Sequence, residues 1–137
     1  MPIFQPASDQ LLCEINPLQL AYIGDAVYDL MVRAQQLISG KKLHQMHLEA
    51  TAKVRATSQA KDLEKLLPSL TEEETEMVRK GRNAHARHQA PKSASQADYC
   101  LATGFETLIG FLYIKGREER LRELFAIMHP PVGEGIT

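Results

Sequence analysis

Between Leu20 and Ile38 the apolar residues Leu20, Ile23, Val27, Leu30, Met31, Ala34 and Ile38 recur at three- and four-residue steps. A glycine and an acid, Gly24 and Asp25, are set into the middle of the run. That period belongs to a helix with one face against a core, not to a strand. Glycine weakens a helix interior by about 1 kcal/mol relative to alanine, so its place in LAYIGDAVYDL implies that something packs closely there. A carboxylate in such surroundings is costly to bury unless it is paired, hydrogen-bonded or bound to metal. Asn16 is a natural N-cap for this helix, Pro17 suits its first turn, and Gly40 is a stop signal.

The rest of the chain is patterned the same way. Leu43, Met46, Ala50, Val54 and Thr57 lead into Leu63, Leu66 and Leu67, as one helix or as two with a break near Ser58, ended by Pro68. Thr71 and Glu74 form a capping box for a helix running to about Arg82. Residues 84–96 have no period and contain Pro91, Ser93 and Ser95, which reads as a mobile loop. Helicity returns with Leu101, Phe105, Leu108 and Leu112, then with Leu121, Leu124, Phe125 and Met128, and Pro130 and Pro131 end it. With no strand and no internal repeat, the expected fold is all-α. It is a single domain over residues 1–137, with an ordered helical core at about 16–128 and a tail at 129–137.

A chain of 137 residues can bury one real core, and 44% hydrophobic with 24% charged residues is ordinary for a globular protein. No apolar run approaches the roughly 20 residues of a bilayer span, and Met1 to Gln10 lacks the layout of a secretory signal. Cys13 and Cys100 form no disulfide framework and read as idle thiols in a reducing cytosol. The net charge of −1 is not that of a strongly basic nucleic-acid binder, so any such contact has to be local. One window qualifies. RKGRNAHARHQAPK carries Arg79, Lys80, Arg82, Arg87 and Lys92 without an acid, and His85 and His88 add charge at lower pH. Such a run is either solvated surface or a phosphate contact.

A second acid, Glu106 in LATGFETLIGF, also lies mid-helix, near Gly104. Two acids on two core-forming helices are able to meet at one site, and oxygen ligands of this kind suit Mg²⁺. The blander alternative keeps Asp25, Asp29 and Arg33 on one solvated stripe and Glu106 at an exposed position. His44 with His47, and His85 with His88, lie three apart, but no cysteine or acid completes a zinc spacing. No Gly-rich phosphate loop, nucleophile elbow or HExxH motif is present.

Taken together, IGDAVYDL resembles the signature helix of the ribonuclease III catalytic domain, and GFETLIGFLYIKG resembles that family's second motif. KGRNA followed by a loop with APK resembles the Mini-III ribonuclease subfamily, and the likeness runs from about Leu18 to Leu124. The resemblance to that subfamily implies a chain that ends just after the catalytic region, without the double-stranded-RNA-binding domain of larger relatives.

The resemblance implies an all-helical homodimer built around the signature helix. Its expected activity is hydrolysis of double-stranded RNA with Mg²⁺, or Mn²⁺ in its place, leaving 5′-phosphate and 3′-hydroxyl ends. It further implies a cytoplasmic role in maturing the 23S ribosomal RNA precursor. Asp25 and Glu106 take the positions of the catalytic, metal-binding acids. Arg79, Lys80, Arg82, Asn83, Arg87 and Lys92 become candidates for RNA contact, and Tyr22 for the dimer interface. Two family acids are replaced, by Ala21 and Thr103, which leaves the metal count open. Asp98, eight residues before Glu106, is a candidate assistant. These replacements also keep open another class, a non-catalytic helical RNA-binding or ribosome-assembly module.

Overall fold

The computed structural model of the protein describes residues 5–53, 56–85 and 95–130, and these are all helix, turn and connection. The helices are α1 (Asp9–Cys13), α2 (Pro17–Ile38), α3 (Leu43–Lys53), α4 (Ala56–Leu66), α5 (Glu72–His85), α6 (Gln96–Ile114) and α7 (Glu118–Met128). A 3₁₀ turn at Leu67–Ser69 follows α4. Of the two readings for this stretch the two-helix one holds, but α3 ends at Lys53 and α4 begins at Ala56, so Ser58 lies inside α4. The helix expected to stop at Arg82 continues to His85. Most of the expected loop at 84–96 lies outside the described residues.

The helix ends follow their local chemistry. Asn16 caps α2 by accepting from Gln19 N at 2.9 Å, and the Gln19 side chain accepts from Asn16 N at 2.9 Å. At the other end Gly40 takes φ 77°, the left-handed turn that closes a helix. The capping box at Thr71 and Glu74 forms as the sequence indicates. Glu74 has a second partner there. Buried at its side chain, it receives Arg120 Nε at 2.8 Å, which ties α5 to α7 and holds the carboxyl below the usual carboxylate range.

Helix α6 is the axis of the fold, and α2, α4, α5 and α7 pack around it. From Ala102 to Leu112 every residue is buried except Glu106. Tyr28, Phe105, Leu108, Ile109 and Leu112 are fully buried at the centre, with the rings of Tyr28 and Phe105 edge-on at 4.9 Å. Thr107 is equally buried, its hydroxyl lying between the carbonyls of Thr103 and Pro17 at 2.7 and 3.1 Å.

The stripe that α2 buries is Leu20, Ala21, Gly24, Val27, Tyr28, Val32 and Gln36. Leu30 and Ile38, which the apolar period places in the core, are exposed, as is Leu43 at the start of α3. The physical reason is that α2 is apolar on two sides, and period alone does not say which side meets α6. The outward side presents Tyr22, Ala26, Leu30, Arg33 and Leu37 on one face.

Candidate active site

Asp25 and Glu106 meet where α2 crosses α6. Helix axes usually pass 8–10 Å apart because side chains intervene. Here glycines remove them. A β-carbon at Gly24 would stand 1.8 Å from Glu106 O and 2.8 Å from Gly110 N, and one at Gly110 would stand 1.9 Å from Leu20 O. The two backbones therefore touch, and the residue after Gly24 is carried up to the side chain of Glu106. A second close crossing sets α5 against α6, with a β-carbon at Gly81 falling 2.2 Å from Thr107 Oγ1.

The two carboxyls are hydrogen-bonding neighbours in very different surroundings. Asp25 is exposed, at the edge of a cleft of about 620 Å³ between α2 and α3 that Asp29, Arg33, Gln36 and His47 also line. Glu106 is the inner partner. Burial, reinforced by the adjacent Asp25 carboxyl, pushes its pKa up to about 8. At neutral pH Glu106 therefore keeps its proton beside the Asp25 carboxyl. The pair is a donor set of the kind a hard divalent cation accepts, with one or two protein carboxylates and the remaining positions left to water. Among the described residues no group of three or more His, Cys, Asp or Glu side chains gathers around a common point.

One neighbour of the pair was not expected from the sequence. Gln59 of α4 is 2% exposed. Its Nε2 comes close enough to Glu106 to favour the ionised carboxyl, yet it completes no hydrogen bond within the described residues. At the positions of the two replaced family acids, Ala21 is buried and Thr103 turns its hydroxyl back to Tyr99 O at 3.0 Å.

Other expected site residues are more scattered. Asp29 pairs with Arg33 at 3.2 Å along α2, as the solvated-stripe reading has it, whereas Asp25 reaches Glu106. Asp98 sits in the first turn of α6, about 12 Å along the axis from Glu106 at a rise of 1.5 Å per residue. It is remote from the pair. Arg79, Lys80, Arg82 and Asn83 are all exposed along the last turns of α5. Arg79 is engaged by Glu76, at 2.9 Å from Nε, and the charge of Lys80 also acts on Glu76. Arg87 and Lys92 lie outside the described residues, as does His88. Tyr22 is 85% exposed, beside a shallow groove lined by Asn16, Pro17, Leu18, Gln19 and Ala84. Cys13 is exposed and Cys100 buried, and both are free thiols.

A second buried polar cluster also escaped the sequence. Tyr28 donates to Asp62 Oδ2 at 3.0 Å and lies 2.8 Å from His129 Nε2, joining α2, α4 and the end of α7. No local pattern announces it, since the partners are 34 and 101 residues apart.

Comparison with known proteins places the chain in a family. The ribonuclease III domain model matches residues 18–117, a span that includes both helices of the crossing. The chain is 50% identical over 111 residues to a Mini-ribonuclease 3 of Symbiobacterium thermophilum, covering 80% of this chain and 85% of that one. It is 46% identical over 122 residues to a Mini-ribonuclease 3 of Desulfitobacterium hafniense, covering 88% and 76%. A crystal structure of a Fusobacterium nucleatum protein superimposes with a TM-score of 0.74 at 28% identity, covering 82% of this chain and 89% of that one.

Proposed function

Because the chain belongs to the Mini-ribonuclease 3 group of the ribonuclease III family, we propose that it is an endoribonuclease that hydrolyses double-stranded RNA with Mg²⁺ at Asp25 and Glu106. The observation that carries the proposal is the side-by-side placement of these two acids at a glycine crossing that serves no packing need of theirs.

Each residue has a definable task. Glu106, held by the rigid centre of α6, is the inner ligand. Asp25, open to the cleft, is the outer ligand and faces arriving substrate. A divalent cation bound there supplies a nucleophilic water at neutral pH and relief of charge on the scissile phosphate. Manganese has the charge and oxygen preference to stand in for magnesium. The products are 5′-phosphate and 3′-hydroxyl ends.

Backbone and shape recognition suit a duplex of this kind, because the A-form major groove is too narrow for side chains to read. Arg82, Lys80, Asn83 and, beyond the described residues, Arg87 and Lys92 are the proposed phosphate contacts, with Arg79 weakened by its pairing to Glu76. The outward apolar face of α2, with Tyr22 at its head, is the proposed interface of a homodimer. Exposed large apolar residues gathered on one face, as Tyr22, Leu30 and Leu37 are, mark an interaction surface. The unit is proposed to act in the cytoplasm on the 23S ribosomal RNA precursor. No helix of the described residues is long and apolar enough to cross a membrane.

The test is incubation of a labelled RNA duplex with the protein in Mg²⁺, in Mn²⁺ and in chelator, with end analysis of the products. Staggered cuts with 5′-phosphate ends, abolished by chelator, are expected. Duplex binding without cleavage in either metal would instead support the non-catalytic module.

A further inference from the structure

The pair of acids explains itself; the amide beside it does not. Among the described residues Gln59 Nε2 completes no hydrogen bond, in a side chain that is 2% exposed. Leaving such a group unmade costs about 1–3 kcal/mol. An apolar residue of the same length would remove that cost, so packing gives no reason for an amide here. The carboxyl of Glu106 lies within its reach.

We infer that Gln59 is a positioning residue of the nuclease site, whose buried amide stands beside the Glu106 carboxyl and fixes the oxygen that it would turn toward a divalent cation. The inference rests on the proposed function. Two further observations favour it. The residues at the positions of the two replaced family acids have nothing to offer the metal, Ala21 lacking a polar group and Thr103 spending its hydroxyl on Tyr99 O. Glu106 therefore depends on an orienting group from another helix, and α4 supplies one. The mounting is also rigid. One turn beyond Gln59, Asp62 is buried and held by Tyr28 at 3.0 Å, with Lys65 at 3.6 Å, which fixes the rotation of α4 about its axis. Partners that orient ligands in this way are usually worth a 10- to 100-fold change in metal affinity or activity.

The test is Mn²⁺ affinity, read by electron paramagnetic resonance of the free ion, for the wild type, Gln59→Met and Glu106→Gln. Gln59→Met keeps the length of the side chain and deletes the amide. A loss of about 10- to 100-fold in affinity is expected, with a melting temperature at or above that of the wild-type apoprotein. Duplex binding measured in chelator should not move. Equal Mn²⁺ affinity in wild type and Gln59→Met, with Glu106→Gln impaired, would overturn the role of Gln59 alone. Absence of Mn²⁺ binding in the wild type would instead overturn the metal site itself. If Gln59→Met does not fold, Gln59→Asn takes its place. It draws the amide back by one methylene and should also lose affinity, and wild-type affinity in that variant would count against the inference.

Discussion

A β-carbon at Gly24 would stand 1.8 Å from the backbone carbonyl oxygen of Glu106, so the helix bearing Asp25 rests directly on the backbone of its partner acid. The contact is set by two rigid backbones, and no flexible side chain is available to yield. Gly24→Ala is therefore expected to lower stability by at least about 3 kcal/mol, the upper end of ordinary overpacking. If it folds, it should cleave poorly because Asp25 is displaced. Chemical denaturation checks the first part. Wild-type stability in Gly24→Ala would mean that the two helices do not cross this closely.

The raised pKa of Glu106 predicts how metal binding depends on pH. The group titrates near 4.5 when unfolded and at about 8 in the folded apoprotein. Between these values the native state holds the extra proton, so the stability of the metal-free protein falls as pH rises through that window. Metal must displace the same proton. Apparent Mg²⁺ affinity should then rise with pH up to about 8, by as much as about tenfold per unit for one proton released. Calorimetry in buffers of different ionisation enthalpy counts that proton. A flat affinity from pH 6 to 8 would place the metal elsewhere.

How much of this was legible in the sequence differs from residue to residue. Gly24 announced itself, because glycine in an apolar helix needs a reason, and the reason is α6. The helices around it followed from period and caps, as at Asn16 and Thr71. The inward face of α2 did not follow, because Leu30 and Val27 are equally apolar and differ only in what lies opposite. Gln59, Asp62 and His129 were invisible for another reason. Each is an ordinary polar residue whose partner comes from another helix, and no local spacing encodes such a meeting.

The basic end of α5 predicts a graded salt dependence. Replacing Lys80 and Arg82 by glutamine should weaken duplex binding for all sequences alike. The slope of log affinity against log salt should fall by about one for each phosphate no longer neutralised. Arg79→Gln should do less, since Glu76 already holds that guanidinium. An unchanged slope in the Lys80 and Arg82 variants would route the RNA over another surface.

Tyr22 predicts the assembly. With Tyr22 85% exposed at the head of the outward face of α2, Tyr22→Asp is expected to convert a dimer to a monomer in analytical ultracentrifugation, with the helical circular dichroism retained. A wild-type monomer at micromolar concentration would rule out this interface.

The Asp25 and Glu106 carboxyls together are proposed to hold the cation that cleavage requires. The most direct measurement is single-turnover cleavage of an RNA duplex by Asp25→Asn, set beside its duplex affinity in chelator. Cleavage should fall below detection in Mg²⁺ with duplex affinity unchanged, since Asp25 is proposed as a ligand to metal and not as a contact to phosphate. Cleavage at the wild-type rate in that variant would contradict the two-carboxylate metal site.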